Sequence, residues 1–96
     1  MLQQREINLI ADYFKDKPVL KAYLFGSHVR NQSNIESDID ILVELDYNKQ
    51  IGLKYIKMKN ELEEILKKKV DLLSTNAVSK YIRPIIDREK KLIYAK

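Results

Sequence analysis

The stretch that decides this chain begins with Gly26-Ser27-His28-Val29-Arg30 and continues, after a short connection, with Ser37-Asp38-Ile39-Asp40-Ile41-Leu42-Val43. A Gly-Ser turn can present backbone N–H groups to a phosphate. Two carboxylates spaced i, i+2 at the head of a strand lie on one face of that strand, where they can hold metal ions against the phosphate. The stretch therefore predicts phosphoryl or nucleotidyl transfer.

Each half of this stretch is common by itself, because most Gly-Ser pairs are simply turns and Asp-x-Asp often marks a solvated strand start. The combination is far more specific, since Gly-Ser ends one predicted strand and Ser-Asp-x-Asp opens the next. The Cα atoms of Asp38 and Asp40 should lie roughly 6.6–6.8 Å apart on one face of that strand. That separation suits two metal ions about 3.5–4 Å apart. Ile39 and Ile41 are expected to point into the core.

A third acid, Asp71, lies between Val70 and Leu72 in a short apolar run. An apolar strand is a poor place for a carboxylate without a partner. A metal ion, or a hydroxyl group whose proton Asp71 accepts, would supply that partner. The alternative is a surface acid paired with a nearby lysine, and the presence of Asp38 and Asp40 favours the functional interpretation.

The hydrophobic pattern on either side predicts alternating helices and strands. The predicted order begins with a helix near residues 3–15, a strand over Val19–Phe25, a short helical turn capped by Ser27 and a strand over Asp38–Leu45. A helix over about 50–67 and a strand over Val70–Leu73 follow. The last two elements are a helical segment, which Asn76 can cap and which holds Pro84 in its first turn or at a kink, and a small strand over Leu92–Tyr94. We interpret Val19–Phe25 as a strand buried on both faces. Strands interleaved with helices predict an α/β (α+β) fold in which helices pack on a small mixed sheet.

Composition sets the class of protein. The 96 residues, of which 45% are hydrophobic, are enough for one modest core and predict a single domain over residues 1–96. No cysteine is present to form a disulfide or a thiolate metal site, and neither a bilayer-spanning run nor a secretory signal pattern is visible. We therefore expect a cytoplasmic protein without a membrane partner. The net charge of +4 is mild, and the basic run Lys67-Lys68-Lys69 lacks the interleaved aromatic residues of a nucleic-acid surface, so no direct nucleic-acid partner is expected.

These residues resemble the DNA polymerase β-like nucleotidyltransferase superfamily, and more closely the minimal nucleotidyltransferases (MNT) that pair with HEPN-domain proteins in prokaryotic toxin–antitoxin systems. The family pattern is Leu-Phe-Gly-Ser-x-x-Arg, then Ser-Asp-x-Asp-hydrophobic, then a later Val-Asp-hydrophobic. This chain carries Leu24-Phe25-Gly26-Ser27-His28-Val29-Arg30, Ser37-Asp38-Ile39-Asp40-Ile41 and Val70-Asp71-Leu72. Essentially the whole chain is covered. The chain departs from the pattern at Asn31, where a Gly often follows the Arg, and at Lys67-Lys68-Lys69, where a Gly often precedes the third strand.

The resemblance implies a nucleotide-binding role for four residues. Gly26 and Ser27 would hold the β- and γ-phosphates of ATP, the substrate. Arg30 would contact a phosphate or brace the turn, and Ser37 would belong to the same site.

The resemblance also implies that three carboxylates are both catalytic residues and metal ligands. Asp38 and Asp40 would ligate two Mg²⁺ ions. Asp71 would join the ion that activates the incoming hydroxyl group and help to remove its proton.

The acceptor is expected on another molecule, because larger relatives carry a helical acceptor-binding domain and this chain ends soon after the third acid. In the family that partner is a HEPN protein, usually an RNase toxin, and the implied reaction is AMP transfer from ATP to a toxin tyrosine. An antitoxin of this kind would form a hetero-oligomer with its toxin. Two alternatives stay open at this point: a catalytically silent antitoxin that acts by binding alone, and nucleotidyl transfer to a small-molecule hydroxyl in a pocket that a homo-oligomer completes.

Overall fold

Helices and strands alternate along the chain, as the hydrophobic pattern predicts. The computed structural model describes residues 4–25 and 39–96. Within these ranges lie α1 (Gln4–Phe14), β1 (Val19–Phe25), β2 (Ile39–Leu45), α2 (Lys54–Leu66), β3 (Val70–Ser74), a short 3-10 helix (Thr75–Ala77), α3 (Arg83–Glu89) and β4 (Lys91–Ala95). The helical turn predicted after Ser27 lies outside the described residues. The predicted α+β fold is confirmed.

The strands form one mixed sheet in the order β3-β2-β1-β4. β1 is antiparallel to both β2 and β4, whereas β2 is parallel to β3. A parallel pair needs a crossover connection, and α2 provides it because α2 lies between β2 and β3 in the chain. The expected small mixed sheet is therefore present, with β3 and β4 at its edges.

Alternation along the strands places one face of the sheet in the core. The core-facing strand residues are Ala22 and Leu24 on β1, Ile39, Ile41 and Val43 on β2, and Val70 and Leu72 on β3, all of them buried. Helices α1 and α2 cover this face with buried apolar residues, namely Ile10, Phe14, Met58, Leu62 and Leu66. The Ile39 and Ile41 side chains thus point into the core, as predicted.

The opposite face of the sheet is only partly covered. Lys21 of β1 is exposed, and Leu20 and Tyr23 are half-buried. The prediction that β1 is buried on both faces was therefore wrong. Lys90, which directly precedes β4, places its ammonium 4.5 Å from the centre of the Tyr23 ring on the neighbouring strand. The amphipathic Tyr and Lys side chains tolerate this position because each keeps a polar end accessible to water.

The starts of two helices differ from the sequence prediction. α2 begins at Lys54 rather than near residue 50, because Gly52 adopts a positive φ of 44° just before it. Asn76 does not cap a long helix: it lies inside the 3-10 helix Thr75–Ala77, and α3 begins later, at Arg83. Pro84 lies in the first turn of α3, one of the two predicted placements. No helix in the described part of the chain is long and apolar enough to cross a membrane.

Candidate active site

Parallel pairing of β2 with β3 sets Asp40 beside Asp71, directly in register. Residues in register on neighbouring strands point to the same face of a sheet, and the strands lie about 4.8 Å apart. On either side of this pair, Ile39, Ile41, Val70 and Leu72 point to the core. Asp40 and Asp71 therefore lie together on the face of the sheet opposite the main core.

The end of β1 lies beside Asp40. Phe25, its last residue, pairs with Asp40, and Gly26 follows Phe25 in the sequence. The end of β1 and the starts of β2 and β3 consequently meet at one end of the sheet. This end of the sheet is the candidate active site. The other predicted site residues lie outside the described ranges, so their roles stay predictions: Gly26, Ser27, Arg30, Ser37 and Asp38.

Asp71 does not occupy the buried position that the sequence suggested. Its side chain is exposed, whereas its neighbours Val70 and Leu72 are buried. β3 is an edge strand with one face in the core, and its alternation turns Asp71 outward. The argument from burial was therefore wrong, and the candidacy of Asp71 depends instead on its position beside Asp40.

The paired carboxylates fit a divalent cation. Mg²⁺ takes oxygen ligands and commonly binds through one or two carboxylates together with phosphate oxygens. Like charges directly opposite each other on neighbouring strands repel, and a cation held between Asp40 and Asp71 would offset that repulsion. Residues 4–25 and 39–96 contain no group of three or more His, Cys, Asp or Glu side chains placed to hold a metal, so this part of the chain supplies two of the three predicted ligands.

Backbone hydrogen bonds join the starts of β2 and β3. The Ile39 N–H donates to the Lys69 carbonyl oxygen at 2.9 Å. This bond lies one residue before the Asp40–Asp71 pair on β2 and two residues before it on β3. The relative position of the two acids is therefore set by main-chain pairing that begins beside them.

Side chains of α2 contact the backbone of β3 on both sides of Asp71. The Val70 N–H donates to Oε2 of Glu63 at 3.0 Å, and the Tyr55 hydroxyl donates to the Leu72 carbonyl oxygen. The hydrogen bond from Val70 holds the pKa of the Glu63 carboxyl below its ordinary value, with help from the Lys59 ammonium at 3.4 Å. Sequence reasoning missed Glu63, and the only available signal was an acid close to the end of a helix that leads into β3.

Fold and site together define a nucleotidyltransferase. A mixed sheet carries paired carboxylates beside the last residue of β1, after which the sequence continues with Gly26-Ser27. The model of the family described as polymerase beta, nucleotidyltransferase, matches residues 8–96. The chain belongs to this family.

Known proteins agree with this assignment. A protein of Methanocaldococcus jannaschii, provisionally named a protein adenylyltransferase, is 42% identical over 71 residues, which are 74% of this chain and 75% of the relative. A chain in the crystal structure of a toxin–antitoxin with AMP-PNP has a TM-score of 0.76 at 21% identity, covering 99% of this chain and 75% of that one. A chain in the complex of tri-AMPylated Shewanella oneidensis HEPN toxin with MNT antitoxin has a TM-score of 0.75 at 23% identity, covering 99% and 74%. At these identities the two structures support the fold.

Proposed function

We propose that this chain is a protein adenylyltransferase that acts as an antitoxin. It would transfer AMP from ATP to a tyrosine of a HEPN-domain RNase toxin in the cytoplasm and thereby neutralise the toxin. The observation that carries the proposal is the in-register pair Asp40 and Asp71 in a polymerase beta nucleotidyltransferase fold. The name of the M. jannaschii relative and the toxin–antitoxin complexes of similar fold support the acceptor class.

The proposed reaction breaks a phosphoanhydride bond of ATP and forms a phosphoester bond to the tyrosine. The tyrosine oxygen forms a bond to the α-phosphorus of ATP, the bond from that phosphorus to the bridging β-phosphate oxygen breaks, and pyrophosphate leaves. The phenolic proton passes to the Asp71 carboxylate and then to water. The contribution of this chain is to position the reactants and to balance their charge.

The predicted site residues would divide this work. Backbone N–H groups of Gly26 and Ser27 would contact the β- and γ-phosphates, and Arg30 and Ser37 would complete the nucleotide site. Two Mg²⁺ ions would be held by the in-register pair Asp40 and Asp71 together with Asp38, which lies two residues before Asp40 in the sequence. Bound Mg²⁺ would supply positive charge to the phosphate oxygens and would lower the pKa of the attacking hydroxyl group.

Intact-mass analysis tests the proposal. The protein encoded by the neighbouring gene is tested for a HEPN domain and incubated with ATP, Mg²⁺ and either the wild-type chain or Asp40→Ala. We expect mass steps of AMP on the toxin with the wild type and a rate at least roughly 100-fold lower with Asp40→Ala, because the variant loses a ligand of the cation that would balance the phosphate charge, and the loss of one such electrostatic contribution costs about that much. Peptide sequencing then identifies the acceptor residue.

Glu44→Ala is the matched control. Glu44 is half-buried on the same strand and the same face as Asp40, but at the far end of β2. Loss of transfer in both variants would point to the fold rather than to the site. Equal transfer by Asp40→Ala and the wild type would overturn the proposal. A stable complex without a mass change would favour an antitoxin that acts by binding. The absence of both a complex and a mass change would favour a small-molecule acceptor.

A further inference from the structure

β3 lies at an edge of the sheet, so half of its backbone groups face away from β2. The Lys69 carbonyl accepts from the Ile39 N–H and therefore points toward β2. Backbone groups alternate in direction along a strand, so the N–H of Val70 and the carbonyl of Leu72 point to the open side. Asp71 lies between them.

α2 supplies a partner to each of these two outward groups. Glu63 accepts from the Val70 N–H at 3.0 Å, and the Tyr55 hydroxyl donates to the Leu72 carbonyl. The Lys59 ammonium lies 3.4 Å from the same Glu63 oxygen. The open edge of β3 is thus tied to α2 immediately before and immediately after Asp71.

We propose that Glu63 and Tyr55 are positioning residues for Asp71. Asp71 is exposed, so its side chain has little packing to hold it, and its location depends on the backbone that carries it. An edge strand held only by β2 would open locally more often than a strand paired on both sides. Tying the backbone on both sides of Asp71 keeps its carboxylate beside that of Asp40. The inference depends on the proposed function, because it assigns these residues to the reaction through Asp71.

Steady-state kinetics of Glu63→Ala and Glu63→Gln test the inference. Misplacing a reacting group by about 1 Å can cost roughly 100-fold in rate, so we expect Glu63→Ala to lower kcat by roughly ten- to a hundredfold with the KM for ATP within about twofold. Glu63→Gln retains a carbonyl oxygen that can accept from the Val70 N–H, and it should keep most of the wild-type kcat. Tyr55→Phe should lower kcat in the same direction as Glu63→Ala.

The chain offers a matched control in Glu61. Glu61 lies on the same helix and accepts a hydrogen bond from the Tyr13 hydroxyl at 2.5 Å, between α2 and α1 and away from β3. Glu61→Ala therefore removes a comparable hydrogen bond and should leave kcat per folded molecule at the wild-type value. Thermal midpoints of all variants allow kcat to be corrected for the folded fraction.

A measurement without nucleotide or metal separates positioning from general stability. In the metal-free protein, the Asp71 amide should exchange with solvent about tenfold faster in Glu63→Ala, because the loss of one hydrogen bond lets β3 open more often. Glu61→Ala should leave that exchange unchanged. In the Asp71→Asn background, Glu63→Ala should cause no further loss of transfer, since residues that act through one group are not additive.

Three outcomes of these experiments would overturn the inference. Wild-type kcat and wild-type Asp71 exchange in Glu63→Ala, with Asp71→Asn inactive, would overturn this inference and leave the proposed function standing. Full transfer by Asp71→Asn would overturn the inference, since Asp71 would then have no role in the reaction, whereas a wild-type chain that transfers no AMP would overturn the proposed function. An equal loss of kcat in Glu61→Ala and Glu63→Ala would also overturn the inference, because the effect would then not be specific to β3.

Discussion

Two carboxylates held side by side are unfavourable for the fold and useful for the reaction. Asp40 and Asp71 are in register on neighbouring strands and share a face, so their negative charges repel when both are ionised. A bound cation reverses the sign of this interaction. Neutralising one of the acids should therefore raise the stability of the metal-free protein and weaken its binding of the metal.

Asp71→Asn should be more stable than the wild type in metal-free buffer. Removing a like-charge cross-strand pair is expected to raise the free energy of unfolding by about 0.5 kcal/mol, which corresponds to roughly 2–4 °C in Tm for a domain of this size. Added Mg²⁺ should raise the Tm of the wild type through binding to the folded state and should raise that of Asp71→Asn much less. Differential scanning fluorimetry with and without EDTA measures both effects.

Glu64→Gln provides the control for this experiment, because Glu64 is exposed on α2 and the substitution changes the net charge by the same amount. It should give the wild-type response to Mg²⁺. Equal Tm values for Asp71→Asn and the wild type, each with the same response to Mg²⁺, would mean that the two carboxylates neither repel each other nor share an ion.

The choice of Asp71 shows what sequence reasoning could and could not supply at this scale. The Val-Asp-hydrophobic pattern singled out the residue, but the physical reason given for it, burial in an apolar strand, was wrong because β3 alternates. The reason that the structure supports is register with Asp40, across strands separated by α2. A single sequence carries no direct signal for that register.

The residue that ends α2 has an unfavourable backbone conformation. Lys67 follows the helix with φ 56° and ψ 35°, the left-handed conformation in which helices often end with Gly. This is the stretch at which the sequence departs from its family pattern by having lysines. The Lys67 N–H still donates to the Glu63 carbonyl oxygen at 2.9 Å and closes the last turn, so the helix ends normally despite the strained backbone.

Lys67→Gly should stabilise the protein. A side chain in the left-handed region costs roughly 1–2 kcal/mol, and the greater freedom of glycine in the unfolded chain offsets about 0.4–1 kcal/mol of that gain. We expect the free energy of unfolding to rise by about 0.5–1 kcal/mol, measured by urea titration. Lys57→Gly makes the same substitution in the middle of α2 and should destabilise by about 1 kcal/mol; the same sign of change in both variants would contradict the account of the helix end.

Element boundaries followed the sequence where side chains alone set them. β1 runs from Val19 to Phe25, as the apolar run between Pro18 and Gly26 predicts. The start of α2 was placed too early because the periodicity of its apolar residues begins at Ile51, while the backbone of Gly52 delays the helix. Asn76 was misplaced as a cap because a short 3-10 helix and a further connection separate β3 from α3.

On the scale of the whole molecule, the sheet order brings residues that are distant in the sequence together at one end of the sheet. Phe25, Asp40 and Asp71 belong to three strands, and only the order β3-β2-β1 brings them together. The motif pattern predicted that the Gly-Ser turn and the acids act jointly. The geometry that permits it comes from long-range pairing, and the supporting contacts from Glu63 and Tyr55 were beyond the reach of periodicity or motif spacing.

Two half-buried tyrosines should make the protein less stable at high pH. Burial, and after it the hydrogen bond to the Glu61 carboxylate, raises the pKa of Tyr13 above its ordinary value of 10.0. Burial also raises the pKa of Tyr55. The unfolded chain loses these phenolic protons near pH 10 while the folded chain keeps them, so stability is fully present below pH 10 and falls as the pH rises beyond it.

Urea unfolding between about pH 8 and pH 11 measures this decline. Tyr13→Phe loses a hydrogen bond and should be less stable than the wild type at pH 8, but the difference should narrow as the pH rises because one of the two tyrosines no longer contributes. Tyr81→Phe, at an exposed tyrosine, should keep the wild-type dependence. A constant difference between Tyr13→Phe and the wild type across the range would contradict the shifted pKa.

The pairing of Phe25 with Asp40 places the end of β1 beside the start of β2, and residues 26–38 of the sequence connect the two strands. Inserting residues there costs the sheet little, because doubling the length of a connection adds only about 0.6 kcal/mol of closure entropy. Insertions between these two strands should therefore cost the sheet little stability, whereas insertions within β1, β2 or β3 interrupt its pairing. A lineage built on this sheet can vary the length of one short interval of its gene while natural selection keeps the framework constant.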